Sequence, residues 1–342
     1  MIGLIAGASH TMANNEDRIG SAGASELLVN PWARSTGYGS AGISSVNGLE
    51  AQFVNIAGLA FTDRTQVKFN HTTWLGSADI SLNSAGIAQR ISDQDVIAVS
   101  IQAFGYGDID ITTVNIPEGG IGTFSPRKNI FNVGYAREFS NSIYAGLNVK
   151  VINESIANLS ANGFALDAGV RYVTGEQDQV KFGITLKNVG PTMVFRGDGL
   201  ATPIFYQSTG GIATLEQRSA SFEIPSLLAL GASYDFIFTE SSKLTAAFGF
   251  VANSFTNDQY AAGLDYGFAT EKTAFNIRAG YVFENDILNP ETRTNSLTGI
   301  TAGFSVDALA GKNKSPIGFE YAVRLSNPFG LIHTIGMTIS LK

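Results

Sequence analysis

The feature that most constrains the fold of this chain is a repeated alternation of apolar and polar residues with a period of two. In 180–187, 275–284, 317–325 and 335–342, apolar or aromatic side chains occupy every second position, and Gly, small polar or charged residues lie between them. Alternation of this kind puts the two sets on opposite faces of a β-strand. The alternation therefore predicts strands with one face in an apolar environment and the other in a polar one.

The alternation recurs in fourteen segments along the chain. The predicted strands are 67–74, 78–90, 95–105, 129–138, 142–157, 161–173, 179–190, 226–238, 243–253, 258–268, 273–284, 297–306, 316–326 and 333–341. Most of them are longer than the five or six residues typical of soluble proteins and match the roughly 9–11 residues that a tilted membrane strand needs. Bacterial outer-membrane barrels also have an even number of strands.

The connections between the predicted strands differ in length according to their position. The long connections 106–128, 191–225 and 285–296 all follow odd-numbered strands, whereas the connections after even-numbered strands are short, apart from 307–315. Every long loop then falls at one end, as in outer-membrane barrels. We expect both chain termini at the other end. The alternative, a soluble β-sandwich or double barrel with its apolar faces inward, gives no reason for this parity.

Composition supports a membrane barrel. Charged residues make up 15% of the 342 residues and hydrophobic residues 44%, with 38 Gly and no Cys; an ordinary soluble domain has about 25% charged residues. The net charge of −7 argues against a nucleic-acid partner, and zero Cys excludes a disulfide framework or thiol chemistry. The predicted fold class is all-β: a 14-stranded antiparallel transmembrane β-barrel with an N-terminal hatch in its lumen.

Three regions are expected along the chain. Residues 1–13 resemble the end of a secretory signal peptide, because a short apolar run precedes a small-residue cleavage pattern. Residues 14–66 do not alternate and are broken by Pro and Gly. A fourteen-stranded barrel is wider than side chains alone can fill, so we expect this segment to be a hatch inside the lumen. Residues 67–342 form the barrel.

Two motifs in the expected hatch carry a family resemblance. Residues 33–41 read A-R-S-T-G-Y-G-S-A and residues 55–60 read N-I-A-G-L-A. They resemble the hatch of the PorV/PorQ family, whose pattern is close to A-R-x-x-G-M-G-x-A followed by N-P-A-G-L-A. Ile56 departs from the family's Pro, so the bend there must come from Asn55 and Gly58. The residues that carry the motif are Arg34, Gly37, Gly39, Asn55 and Gly58.

The resemblance implies both a location and a role. It implies a FadL-like barrel in the outer membrane of a Bacteroidota-type bacterium, surrounded by outer-membrane lipid. It further implies a part in the type IX secretion system, where the partners would be the translocon channel, C-terminal domains of secreted cargo, or proteins of the attachment complex.

The sequence offers little support for catalysis or for a cofactor. Gly37–Gly42 matches G-x-G-x-x-G, but a dinucleotide site also needs a preceding strand and a βαβ unit. The three histidines, His10, His71 and His333, lack the spacing of known metal motifs, although the last two would be neighbours in a closed barrel. We therefore expect no catalytic residue, no metal and no cofactor, and we do not expect an enzyme.

Charged residues on the polar strand faces are expected to hold the hatch. A pore selective for ions would show one dominant sign, whereas these side chains have both signs. Arg34 is the expected strut, with Asp167, Asp265 or Glu320 as its partner, since a buried Arg needs carboxylate or carbonyl partners. The lumen-facing charges are Asp167, Arg171, Lys181, Lys187, Asp265, Arg278, Glu320 and Arg324.

Two functions remain open from the sequence. In the first, the long loop 191–225 is an exposed apolar surface that binds secreted cargo, or translocon or attachment-complex proteins. In the second, the barrel is a FadL-like transporter of a hydrophobic small molecule, and the same loop covers a pocket. The candidate partner-binding residues are Met193, Phe195, Leu200, Ile204, Phe205, Tyr206, Ile212 and Leu215.

Overall fold

Fourteen long strands form one closed antiparallel barrel in which each strand pairs with its neighbours along the chain. The computed structural model describes residues 18–75, 80–205, 211–285, 287–289, 293–310 and 315–341. The strands are β1 Thr65–Trp74, β2 Ile80–Arg90, β3 Asp95–Gly105, β4 Arg127–Ser140, β5 Ile143–Ile156, β6 Leu159–Thr174, β7 Val180–Val189, β8 Leu227–Thr239, β9 Ser242–Asn253, β10 Gln259–Ala269, β11 Thr273–Glu284, β12 Gly299–Ala310, β13 Ser315–Ser326 and β14 Gly330–Leu341. The barrel closes where β1 pairs with β14, with Thr65 opposite Leu341. The predicted barrel is confirmed.

The two faces of the barrel wall differ as the alternation predicts. On the outer surface Ile277 is 65% exposed and Phe319 is 45% exposed. On the inner surface Asn70 and Glu320 are buried. Large apolar side chains on the outside of a closed sheet have no protein to pack against, so they suit a lipid solvent.

The two ends of the barrel differ in the length of their connections. The long connections 106–126, 190–226 and 285–298 follow β3, β7 and β11 and lie at one end, which we call the long-loop end. The opposite end is called the short-turn end. The expected exception at 307–315 is wrong, because β12 continues to Ala310 and leaves only a short connection before β13.

The described part of the expected hatch, residues 18–64, is a series of short helical turns inside the barrel. No helix in the described ranges is long and apolar enough to cross a membrane. The turns contact inward-facing residues of many strands; for example, Phe61 packs on Tyr144 with ring centroids 4.3 Å apart. The turns are Ser25–Leu28, Ala33–Gly37, Gly39–Ser44, Gly48–Glu50, Ala51–Val54 and Ile56–Phe61.

The hatch crosses the lumen from one end of the barrel to the other; the expected position of the N-terminus itself falls on residues 1–17, outside the described residues. Leu341 lies at the short-turn end, beside Thr65. The first described residues of the hatch lie at the long-loop end, where Ala22 forms a β-bridge with Glu223 and Tyr106 Oη donates a 2.8 Å hydrogen bond to a hatch carboxylate. The reason is geometric, because a segment that fills the lumen must cross it before joining β1 at the short-turn end.

Inward-facing glycines let the hatch approach the barrel wall closely. A Cβ added at Gly231 would lie 2.6 Å from Ile43 Cβ, and one added at Gly280 would lie 2.7 Å from the carbonyl oxygen of Tyr38. Any larger side chain would therefore push the hatch from the wall. We call this set the glycine belt. It consists of Gly86, Gly134, Gly146, Gly169, Gly183, Gly231, Gly249, Gly263, Gly280 and Gly303, each of which faces a hatch residue.

Candidate functional site

An ionic cluster joins the hatch to the barrel wall. Arg34 Nη2 lies 2.5 Å from Asp307 Oδ1, and Arg34 Nε lies 2.7 Å from Glu320 Oε1. Lys68 Nζ lies 3.0 Å from Glu320 Oε1 and also pairs with Glu50 of the hatch. The Lys68 and Glu320 side chains are 2% and 0% exposed, so their pair is shielded from solvent. These contacts fix the position of the hatch at the level of β12, β13 and β1.

Arg34 thus joins hatch and wall, and of its three alternative partners the structure places Glu320 beside it. Asp167 Oδ2 lies 2.8 Å from Lys150 Nζ, and Asp265 Oδ2 lies 3.0 Å from Arg278 Nε. Each of these carboxylates is paired with a cation on the adjacent strand, so neither needs the hatch. Asp265 and Arg278 are directly opposite each other in the strand register.

Three members of the cluster were missed by the sequence reasoning. Lys68 occupies a polar-face position of β1, so the alternation could have found it. Glu50 is a charge in a hatch of mostly uncharged residues, the same signal that singles out Arg34. Asp307 lies one residue beyond the expected end of its strand, although the alternation continues through Val306 and Ala308 and could have extended the strand to it.

The charge state of Arg34 follows from its neighbours. Burial alone would lower the pKa of Arg34, but the carboxylates of Glu320, Asp307 and Glu50 outweigh burial and raise the pKa above its ordinary value. The guanidinium is therefore held in its charged form, as the strut requires.

Asn55 and Gly58 form the bend in the second hatch motif. Asn55 Oδ1 accepts a 3.2 Å hydrogen bond from the backbone N–H of Ala57 and so caps the turn Ile56–Phe61. Gly58 N–H donates to the Asn55 carbonyl oxygen at 2.9 Å. Asn55 Nδ2 also donates to the carbonyl oxygen of Val170 on β6 at 3.2 Å. The bend is made by the cap and is tied to the wall.

The glycines of the G-x-G-x-x-G motif bring the hatch close to the wall. A Cβ added at Gly37 would lie 2.9 Å from Gly303 Cα, so two backbones meet there. Gly39 has a φ of +65°, a conformation that favours Gly. These contacts account for Gly37 and Gly39 without a nucleotide.

The two described histidines each contact one neighbouring polar side chain. His71 Nδ1 lies 2.8 Å from Asn83 Oδ1, and His333 Nδ1 lies 2.7 Å from Tyr321 Oη. His10 lies outside the described residues. Within the described ranges, no group of three or more His, Asp or Glu side chains is arranged to hold a metal ion.

Two of the candidate residues in the first part of the long connection 190–226 pack inward. Met193 is 1% exposed and lies against Gly163 of β6, where a Cβ would come within 2.7 Å of its sulfur. The Phe195 ring packs on Phe222 with centroids 5.6 Å apart. The expectation that Met193 and Phe195 are exposed with the rest of the loop is therefore corrected, because these side chains pack against other residues at the long-loop end of the barrel.

The distal part of the same connection is an exposed two-stranded hairpin. Its strands are Ala201–Phe205 and Ile212–Glu216, paired in antiparallel register. Phe205, Ile212 and Leu215 are 71%, 66% and 53% exposed. We call this element the apolar hairpin.

The other candidate partner-binding residues of this loop differ in their exposure. Ile204 is exposed and Leu200 is half-buried. Tyr206 lies outside the described residues. Val114 and Leu288, in the other two long connections, are almost fully exposed. The long-loop end thus presents apolar side chains from three connections.

The fold is shared by several solved structures, described as a hydrocarbon channel, a toluene transporter and a FadL homologue. A mutant of the TodX monoaromatic hydrocarbon channel matches with a TM-score of 0.56 and 12% identity over 90% of this chain and 97% of that chain. The Pseudomonas putida toluene transporter TodX gives 0.55 and 13% over 91% and 98%. A Pseudomonas aeruginosa FadL homologue gives 0.53 and 12% over 90% and 96%. At these identities the similarity establishes the fold alone.

Sequence comparison identifies the family. No curated protein matches the chain. The sequence profile described as Type IX secretion system protein PorV matches residues 12–256, well over half of the chain. With the FadL-like barrel, the match places the protein in the bacterial outer membrane. The chain belongs to the PorV family of type IX secretion system proteins.

Proposed function

We propose that this outer-membrane barrel binds secreted cargo, or proteins of the type IX translocon or attachment complex, through its extracellular loops. The observation that carries the proposal is the apolar hairpin, whose Phe205 and Ile212 side chains are more than half exposed at the long-loop end. An apolar patch exposed to water is costly and typically marks an interaction site. Membership of the PorV family supports partners within the secretion system.

The interior supports a binding role over an open channel. The hatch contacts the glycine belt and is held by the ionic cluster around Arg34. Lumen charges of both signs pair with each other, as Lys150 does with Asp167. A pore selective for ions would instead present one dominant sign along a water-filled path.

The test is excision of the apolar hairpin. The backbone N–H of Gln217 donates to the carbonyl oxygen of Leu200 at 2.9 Å, so residues 201–216 can be replaced by a short Gly-Ser turn between adjacent ends. We expect the variant to fold and insert, but to lose the secretion-system proteins that the parent retains in a tagged pull-down from detergent-solubilised outer membranes. Mass spectrometry identifies the retained proteins.

A matched control tests whether the loss of partners is specific to the apolar hairpin or follows from removing apolar side chains in any long connection. Phe205→Ser with Ile212→Ser should lose the partners, whereas Val114→Ser with Ile116→Ser, the same change in another long connection, should retain them. Unchanged recovery after excision of the hairpin would contradict the proposal.

Transport of a hydrophobic small molecule is the second candidate. It is favoured by the fold, because the structural neighbours are described as hydrocarbon channels and toluene transporters. In this case excision of the hairpin should lower the uptake of a radiolabelled hydrophobic solute and leave the protein partners unchanged.

A further inference from the structure

The apolar hairpin is exposed on both of its faces. Every residue of the strand Ala201–Phe205 is exposed, and in the strand Ile212–Glu216 only Ala213 is half-buried. A two-stranded ribbon on its own is at best marginally stable in water, whereas a third strand or a packed face stabilises it. The hairpin therefore gains stability if another strand pairs with it.

The register of the hairpin shows which backbone groups point to its outer edges. Pro203 lies opposite Thr214. The backbone N–H of Gln217 donates to the carbonyl oxygen of Leu200 at 2.9 Å, three residues along from that pair on each strand. Hydrogen-bonded and non-hydrogen-bonded pairs alternate along an antiparallel ladder. Pro203 and Thr214 are therefore a non-hydrogen-bonded pair, and their backbone groups point away from the opposite strand.

The two outer edges of the hairpin differ in what they offer to a third strand. On the strand Ala201–Phe205 the central residue of the edge is Pro203, which has no N–H to donate. On the other strand, Ile212, Thr214 and Glu216 direct both N–H and C=O outward, and within the described ranges these N–H groups donate to no other backbone. We call this second edge the open edge. It is the edge that can pair along its whole length.

The side chains beside the open edge restrict which strand fits it. Ile212 and Leu215 are 66% and 53% exposed, and they point to opposite faces of the hairpin because they are three residues apart. An added strand places its own side chains beside Ile212 on one face and beside Leu215 on the other. Apolar cross-strand pairs stabilise a sheet. The open edge therefore suits an extended polypeptide with apolar residues on both faces, whereas a small hydrophobic solute would leave the backbone groups unpaired.

We propose that a partner protein binds the apolar hairpin by adding one of its own extended strands to the open edge. The backbone groups of Ile212, Thr214 and Glu216 pair with the added strand, and its apolar side chains pack beside Ile212 and Leu215. In this mode of recognition the main-chain hydrogen bonds supply affinity and the alternating side chains supply specificity. The inference rests on the proposed function, because it assigns how the hairpin holds the secretion-system protein that it retains.

The first experiment removes one donor of the open edge and keeps the apolar side chains. Thr214→Pro removes an outward N–H that the hairpin itself does not use, and Thr214→Val, the matched control, keeps it. In the tagged pull-down, Thr214→Pro should lower the recovery of secretion-system proteins about tenfold, because the acceptor on the added strand is left unpaired. Thr214→Val should recover them as the parent does.

The outcome separates the added strand from the proposed function. Parental recovery in Thr214→Pro, with loss in Phe205→Ser with Ile212→Ser, would overturn the added strand and leave the hairpin as the binding surface. Unchanged recovery after excision of the whole hairpin would contradict the proposed function instead.

A disulfide across the hairpin ensures that a loss of partners does not come from an opened ribbon. The chain has no Cys. Ala201 lies opposite Glu216 in a non-hydrogen-bonded pair, the type in which side chains are closer together. Oxidised Ala201→Cys with Glu216→Cys should retain the partners, and the same protein with Thr214→Pro added should lose them. Retention in the oxidised triple variant, or loss in the oxidised double variant, would overturn the proposal.

Hydrogen exchange in the recovered complex locates the added strand directly. The amides of Ile212, Thr214 and Glu216 should exchange more slowly in the complex than in the free protein, because they become hydrogen-bonded. The amide of Phe205, on the opposite edge, should exchange at an unchanged rate. Protection of Phe205 without protection of Thr214, or a complex that contains this chain alone, would overturn the proposal.

Discussion

The Arg34 side chain extends from the hatch to two carboxylates of the barrel wall, so its removal should destabilise both contacts. Arg34→Met leaves Glu320 paired with Lys68 and removes the ion pair of Asp307. Removing one partner of a buried pair costs about 3–5 kcal/mol. Because the Arg34 side chain is 27% exposed, we expect about 3 kcal/mol, the lower limit of that range.

The measurement for Arg34 is urea unfolding in liposomes, followed by tryptophan fluorescence. Lys243→Met is the control, since that side chain is 54% exposed and Asp235 keeps its 2.5 Å pair with Lys181. The control should cost less than about 1 kcal/mol, as exposed pairs do. An equal loss in the free energy of unfolding for both variants would show that Arg34 stabilises the protein no more than an exposed ion pair does.

Side chains on the outer surface should tolerate charge poorly. Phe319 is 45% exposed on the outside of β13, so Phe319→Lys should destabilise the barrel by about 2–4 kcal/mol near the bilayer midplane. Lys181→Ala, on the inner face, should cost much less, because Asp235 still lies 3.3 Å from Lys243. Equal free energies of unfolding in liposomes would contradict the assignment of the two faces.

Among the structural elements, the glycine belt sets how tightly the hatch fits. A Cβ at Gly183 would lie 2.7 Å from the carbonyl oxygen of Ile43, so Gly183→Val should destabilise the docked hatch by about 1–3 kcal/mol through overpacking. Hydrogen exchange of the hatch amides should then accelerate. Gly105→Val is the control, since its Cβ would meet its nearest atom, Ser81 Oγ, at 3.5 Å. Unchanged exchange in Gly183→Val would refute the close fit.

The connections at the two ends of the barrel should differ in access from outside the cell. Protease added to intact cells should cut in 106–126 or in the apolar hairpin, because these lie at the long-loop end. The turn Gly175–Asp178, at the short-turn end, should be protected until the outer membrane is permeabilised. Cleavage at that turn in intact cells would reverse the proposed topology.

The sequence predicts the position of a side chain well where that side chain contacts lipid, and less well where it contacts other protein. Every strand contacts lipid on one face, and this requirement repeats at each second residue, so the strands were predicted within a few positions. The hatch and the inward-packed residues of the loops instead contact other parts of the protein. The burial of Met193, for example, depends on the space left by Gly163 on another element, and no local pattern records such a pair.

The partners of the lumen charges were unpredictable for a related reason. Alternation places Lys187 and Arg324 on the inner face, but pairing depends on distances across the barrel. Those distances follow from strand stagger and from the path of the hatch. The alternation therefore predicts the correct side of the wall for each charge, but it cannot choose Glu320 among the three alternative partners of Arg34 or find Asp307.

For the molecule as a whole, the hatch should make the barrel electrically closed. Planar-bilayer recordings of the intact protein should be nearly silent, because residues 18–64 occupy the lumen against the glycine belt. A variant lacking 14–60 should conduct, since a barrel of this width is too large for its own side chains to fill. A freely conducting intact barrel would contradict the expected plug.

The hatch runs from the long-loop end to the short-turn end and continues directly into β1, which forms the closing seam with β14. The chain is therefore threaded through a ring made of its own later residues. If the barrel closed first, the hatch would have to enter a lumen that it fills closely. We therefore expect the hatch to be in place before β1 and β14 pair and close the barrel.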